Sequence, residues 1–391
     1  MRNPLSKTIT TIEPSGIRKF FDIVSEMEDA ISLGVGEPDF DTPWKVRDEA
    51  IYSLEQGRTF YTSNAGLKEL KVEIANYLNR RFGLHYDYAK EMLVTVGGSE
   101  AIDIALRAML DPGDEVLIPQ PSYVSYLPCT VLAGGTPVVI NLKEENQFRL
   151  TAEELEAAIT DKTKILIMPF PNNPTGAVME KSDLEAVAKV VIDHDLFVLS
   201  DEIYAELTYL ENHTSIASLP GMKERTILLN GLSKSMAMTG WRIGYMAAPP
   251  ELIDPLNRMA FYMTAGATSF AQYAAAEALD GDDGSAEKMR LEFKKRRDYL
   301  VGEINEMENF SCIAPQGAFY VFMNIKKTGM KSEEFCDYAL EQYRLAMMPG
   351  DVFGQCGEGF VRLSYAASRQ VLEEAVCILK DIDHEISQKM V

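Results

Sequence analysis

Seven short apolar runs punctuate the middle of the chain: Met92–Val96, Glu115–Pro119, Pro137–Asn141, Lys164–Pro169, Leu196–Ser200, Thr226–Asn230 and Ile243–Ala247. Most are rich in Val, Ile and Leu and lack the polar alternation of a half-solvated strand, so they read as strands covered on both faces. Between them lie stretches with helical periodicity, among them Ser99–Leu110 and Lys181–Asp193. The second sets Leu184, Val187, Ala188 and Val191 on one face. Strand and helix in alternation predict an α/β domain whose mostly parallel sheet is sandwiched by helices. In such a sheet the ligand lies beyond the carboxyl ends of the strands.

The ends of the chain read differently. A long charged helical stretch at Ala286–Met307, a hairpin around Gly317, and helical stretches at Ser332–Tyr343 and Ser368–Gln388 predict a smaller α+β domain. The first 45 residues hold few strand signals and precede the sheet. The expected division is a large domain over residues 46–285 and a small one made of residues 1–45 and 286–391.

Composition narrows the class. The 391 residues are 46% apolar and 25% charged, ordinary for a folded enzyme. No run of 18 apolar residues predicts a membrane span, and Met1–Pro14 lacks the apolar core of a secretory signal. Five cysteines lie far apart without a C-x-x-C pair, which reads as reduced thiols in a cytoplasmic protein. The four histidines (His85, His194, His213, His384) have no second ligand at metal spacing, so no metal is expected. A net charge of −21 argues against nucleic acid and against an anionic membrane surface. An anionic substrate would need a local cation to overcome that field.

Four segments at the ends of the apolar runs carry chemistry. Gly97-Gly98-Ser99-Glu100 opens a helix. Glycine lets the backbone approach an anion, Ser99 suits an N-cap, and free first-turn N–H groups suit a phosphate, though a simple turn and cap has the same sequence. Pro171-Asn172-Asn173-Pro174-Thr175-Gly176 is a loop stiffened by two prolines that presents amide side chains. Ser200-Asp201-Glu202-Ile203-Tyr204 sets an aspartate at a strand end, where it could hold a cationic ring nitrogen or cap a helix. Ser233-Lys234-Ser235 lies among small and apolar residues, which should lower the amine's pKa and make it a usable nucleophile. Ser233 and Arg242 together could hold a phosphate.

Taken together, these segments resemble the class I/II aminotransferases of the fold-type-I pyridoxal-phosphate family. The match runs from Leu33-Gly34-Val35-Gly36-Glu37-Pro38-Asp39-Phe40 to Val361-Arg362-Leu363-Ser364-Tyr365. The subfamily looks like the bacterial and archaeal aspartate, aromatic and N-acetyl-diaminopimelate aminotransferases. The resemblance implies pyridoxal 5'-phosphate as cofactor on a seven-stranded sheet. It makes Lys234 the amine that carries the cofactor and shuttles the proton, with Asp201 under the ring nitrogen. It implies that Asn173 and Tyr204 hydrogen-bond the ring oxygen and that Tyr123 stacks on the ring. It assigns the phosphate to Ser99, the backbone of Gly98 and Glu100, Ser233 and Arg242. It makes Tyr61 the residue that reaches the partner's phosphate in a homodimer. It gives the substrate α-carboxylate to Arg362, with Gly36 and Asn173 beside it. Arg362 would then be the local cation that the acidic surface demands.

The far end of the substrate is less defined. Pro14-Ser15-Gly16-Ile17-Arg18 matches a stretch that lines the side-chain pocket in this subfamily. Ile17 there favours an apolar wall and Arg18 a carboxylate. The expected reaction pairs glutamate/2-oxoglutarate with aspartate, an aromatic amino acid or an acylated diaminopimelate. A carbon–sulfur β-lyase or a decarboxylase on the same scaffold shares the lysine motif. A non-enzymatic aminotransferase-like module of the kind found in transcription regulators would carry a basic domain in front of the match.

Overall fold

The computed structural model describes residues 2–14, 16, 27, 29–281 and 284–389. Its strands in chain order are β1 (Ile31–Ser32), β2 (Met92–Thr95), β3 (Glu115–Gln120), β4 (Thr136–Asn141), β5 (Thr163–Met168), β6 (Phe197–Asp201), β7 (Thr226–Gly231), β8 (Gly244–Ala247), β9 (Ser311–Cys312), β10 (Tyr320–Asn324), β11 (Leu345–Ala346), β12 (Met348–Pro349) and β13 (Phe360–Ser364). Seven of them form one sheet in the order β2-β8-β7-β6-β5-β3-β4. All neighbours are parallel except β8, which runs antiparallel to both β2 and β7.

The continuous apolar runs have a direct cause: successive side chains go to opposite faces, and both faces are buried. Ile165 and Ile167 of β5 join one core with Leu199, Ile227, Leu229 and Ile102. Leu166 and Met168 join the other with Val198, Leu184 and Val187. The edge strand β4 is the exception: Thr136, Val139 and Asn141 are exposed there, because no strand covers its outer side.

The second part of the molecule is a four-stranded antiparallel sheet, β12-β13-β10-β9. The helices Ser285–Asn305, Ser332–Tyr343 and Arg369–Lys389 belong to it, and its core holds Phe293, Leu300, Phe319, Phe335, Leu363 and Leu379. The chain ahead of the large sheet reaches this part through parallel pairing of β1 with β11, and Leu33 enters the same core. Among the described residues no helix is long and apolar enough to cross a membrane, and no cluster of His, Cys, Asp and Glu has a metal-binding arrangement.

The topology gathers chemistry at one edge of the sheet. Strands β6 and β7 end at Asp201 and Gly231, and β2 ends just before Gly97. Strand β8 starts there, with Gly244 in register with both Thr95 and Gly231. That edge faces the β10–β13 layer, whose Tyr320 and Arg362 close a cavity of about 460 Å³.

Candidate active site

Asp201 caps the carboxyl end of β6 and is only 7% exposed. Burial pushes its carboxyl up to about 6, against the pull of a hydrogen bond from the Tyr126 hydroxyl (2.7 Å to Oδ2) and another from the Ile203 N–H (3.2 Å to Oδ1). An acid held in this way gains from a cation placed beside it. It does not cap a helix; the turn of Ala205–Leu207 that follows takes no side-chain cap.

Lys234 lies in the loop after β7, and its Nζ donates to the Gly36 carbonyl oxygen at 2.6 Å. Desolvation lowers its pKa to about 8. The Glu37 carboxylate opposes that shift, and the Arg362 and Arg242 guanidiniums reinforce it. Glu37 is held in turn by the Thr239 hydroxyl at 2.8 Å. At neutral pH such an amine is a far better nucleophile and base than an exposed lysine.

One end of the cavity is built for an anion. The helix Gly97–Met109 starts there, and Gly98 and Ser99 line the cavity. The first four N–H groups of a helix lack intrahelical acceptors and point outward with the positive end of the dipole. Ser99 is therefore not the N-cap that the sequence suggested. The cap is Val96, and Ser99 sits within the first turn as part of the cavity lining. The Glu100 side chain turns back to accept the Val96 N–H and the Thr264 hydroxyl (2.7 Å), so only its backbone is left to the cavity. Arg242, in the left-handed region at φ 56, presses its guanidinium on Gly97: a Cβ there would sit 2.5 Å from Nη2. Ser233 also lines the cavity.

The opposite wall carries Arg362, 2% exposed in the middle of β13. Its Nη1 donates to Asn173 Oδ1 at 2.8 Å and its Nη2 to the Gly34 carbonyl at 2.6 Å, while the buried Nε has no partner. The Tyr320 and Phe353 rings lie 4.4 and 4.8 Å from Cζ. Because the arginine fixes Oδ1 of Asn173 as acceptor, the amide NH₂ is left to donate into the cavity. Tyr204, 5% exposed, shares a 2.9 Å hydrogen bond with the Tyr320 hydroxyl.

Of the residues expected from sequence, Gly36, Gly98, Ser99, Tyr123, Asn173, Asp201, Tyr204, Ser233, Lys234, Arg242 and Arg362 all line this single cavity. Tyr61 does not; it is 93% exposed on the surface. Ile17 and Arg18 lie outside the described residues. Sequence reasoning passed over Tyr126, Tyr320 and Glu37. Glu37 sat inside the Leu33–Phe40 segment and Tyr126 three residues past Tyr123, but nothing local separated them from their neighbours; Tyr320 carried only the pattern of a strand.

Acid, amine and anion cradle stand in an order that fits one molecule with a basic ring nitrogen, an aldehyde and a phosphate tail. Arg362, whose buried Nε has no partner, lines the same cavity.

Comparison with known proteins agrees with this geometry. Residues 28–379 match the family described as aminotransferase class I and II. The putative aminotransferase YugH of Bacillus subtilis strain 168 is 49% identical over 98% of this chain and 100% of its own length. An aspartate aminotransferase of Pyrococcus abyssi is 46% identical over 95% of this chain and 96% of its own. The crystal structure of an aromatic aminotransferase from Pyrococcus horikoshii OT3 superposes with a TM-score of 0.90 at 44% identity, covering 95% of this chain and 100% of that one.

Proposed function

The chain belongs to the class I and II aminotransferases and is a pyridoxal-phosphate-dependent transaminase; from that premise we propose which of its residues act, and on what. The observation that carries the reading is the sharing of one cavity by Lys234, Asp201 and Arg362. When bound, the cofactor supplies an electron sink for the bond-breaking at the substrate Cα.

The protein's own groups do the rest. Asp201, kept in place by Tyr126, holds the ring nitrogen in its protonated form. Tyr204 and the Asn173 amide donate to the ring oxygen, and Tyr123 covers the ring face. Ser99, Ser233, Arg242 and the first-turn N–H groups of Gly98 and Glu100 bind the phosphate. Arg362 takes the α-carboxylate on its remaining N–H groups, which aims the Cα–H toward Lys234. The Lys234 amine then removes that proton and returns it one position away. Gly36, whose carbonyl holds the amine, and the Glu37 carboxylate keep Nζ on that side of the site.

The substrates are an L-amino acid, with aspartate and aromatic ones foremost, and a 2-oxo acid such as 2-oxoglutarate. Purified holoenzyme should be yellow and should aminate 2-oxoglutarate from one or more of these donors. Lys234→Ala should lose about 10²–10⁴-fold in rate. Failure of every donor in the panel would remove the reading, and near-native turnover by Lys234→Ala would remove the role of the lysine.

Completion of the site in a homodimer is part of the proposal. Phe60, Tyr61, Phe261 and Tyr262 are 82, 93, 55 and 80% exposed. They share one face, since Asn64 donates to the Asn257 carbonyl at 2.7 Å and Gly266 lies against Ser63. That face adjoins the phosphate end through the bond from Thr264 to Glu100. A second copy covering it would bring its Tyr61 to this chain's phosphate. Residues 46–285 as cofactor domain, residues 1–45 and 286–391 as small domain, and a cytoplasmic location complete the proposal, the last resting on the five unpaired thiols.

A further inference from the structure

We propose that Tyr320 is a positioning residue that ties the arginine holding the α-carboxylate to the tyrosine at the cofactor ring oxygen. The inference rests on the roles given above to Arg362 and Tyr204. Tyr320 opens β10, is 1% exposed, and is placed by its strand next to β13, which carries Arg362. Its two ends do different things. The ring lies 4.4 Å from the Arg362 guanidinium carbon, with Phe353 as the second ring on that group. The hydroxyl meets Tyr204 Oη at 2.9 Å, and the two rings meet edge to face at 5.9 Å.

Proton count gives that hydrogen bond a direction. A phenol has one hydrogen. If Tyr204 spends its hydrogen on the cofactor ring oxygen, the hydrogen in the Tyr204–Tyr320 contact must come from Tyr320. Donation into the Tyr204 oxygen polarises the Tyr204 O–H and strengthens what it donates onward. Glycine at position 36 makes room for this arrangement, since a Cβ there would lie 2.8 Å from the Tyr320 hydroxyl. One of the two rings that back the carboxylate-binding guanidinium thus also directs the phenol at the cofactor ring.

Separating ring from hydroxyl tests this in the holoenzyme. Tyr320→Phe keeps the ring on Arg362 and removes the donor. KM for the amino donor should stay within about twofold while kcat falls roughly three- to tenfold, the range of one neutral hydrogen bond. The pH at which the bound cofactor's visible absorbance changes should move upward by about half a unit or more, because a weaker donor stabilises the ionised ring oxygen less. Tyr320→Leu removes both functions and should also raise KM about five- to thirtyfold, through loss of the cation–π contact. In a Tyr204→Phe background, Tyr320→Phe should change kcat by less than about twofold, because its effect runs through the missing hydroxyl. An unchanged kcat and absorbance in Tyr320→Phe overturns the proposal. So does a KM rise equal to that of Tyr320→Leu, or effects of the two tyrosine substitutions that multiply. A wild type with neither visible absorbance nor transamination overturns the parent reading, and this one with it.

Discussion

Lys234 and Arg362, the residues proposed to act on the substrate, show how burial changes ordinary side chains. The amine is brought to about 8 chiefly by desolvation. Below that pH its neutral fraction rises about tenfold per unit, and above it the fraction levels off. Capture of pyridoxal phosphate by the apoprotein should follow the same curve, with an initial rate that climbs toward pH 8 and then flattens; a flat rate from pH 6 to 9 would contradict a neutral Lys234 as the attacking group. Arg362 works as a planar fork held between two rings, bonded to Asn173 and Gly34. Arg362→Lys replaces the fork with a point charge and loses hydrogen bonds to a carboxylate worth about 1.5–3 kcal/mol each. KM for amino donors should rise roughly 10- to 100-fold while the bound cofactor's absorbance stays in place. The lysine was legible in sequence because its motif is local. The partners that tune the site were not. Tyr126 meets Asp201 across 75 residues, Tyr204 meets Tyr320 across 116, and Arg362 meets Gly34 across 328. No periodicity or spacing records such meetings.

At the level of elements, the site depends on how closely strands and a helix start can approach one another. Gly97 has φ +73 and carries Arg242 on the side where a Cβ would be; Gly244 lies so close that a Cβ there would fall 2.7 Å from the Gly97 carbonyl carbon. Gly97→Ala should therefore cost about 1–2 kcal/mol in backbone strain alone and displace the Arg242 guanidinium. Thermal melting should show the lower stability, and equilibrium titration should show weaker binding of pyridoxal phosphate, with at least part of the lost affinity appearing for inorganic phosphate as a competitor. The apolar runs predicted each strand of the large sheet to within a few residues, since strands covered on both faces keep a continuous apolar middle and confine most polar residues to their ends. Boundaries moved where tertiary contacts decided them. The helix after β2 begins at Gly97 rather than Ser99, because Glu100 reaches back to cap it. The segment around Gly36, read as a substrate wall, is also a strap. Thr42 donates to the Ala237 carbonyl at 2.6 Å, and Asp39 pairs with Arg296 of the Ser285–Asn305 helix at 2.7 Å. Those contacts hold Gly34 and Gly36 against Arg362 and Lys234.

For the whole molecule the question is how an enzyme of net charge −21 collects anionic substrates. The cations proposed to hold the phosphate and the α-carboxylate, Arg242 and Arg362, line the cavity, where low polarity would strengthen their pull. The proposed dimer gives a test at this scale. Tyr61→Ala and Lys234→Ala homodimers, each impaired, should regain roughly a quarter of wild-type activity when their subunits are exchanged at equal amounts. Half of the dimers are then hybrids, and each hybrid has one intact site. No recovery under conditions where exchange is measured would show that Tyr61 does not serve the neighbouring site. The sequence alone determined the layered α/β sheet and singled out the lysine proposed to carry the cofactor, together with its motif companions. Each of these is written in contiguous residues, as a burial period or as a strand end followed by a turn. Tertiary structure decided the pKa of Lys234 and of Asp201, the two rings on Arg362 and the hydroxyl pair of Tyr204 and Tyr320. These depend on which distant side chains share a water-poor space, and only the folded chain brings them there.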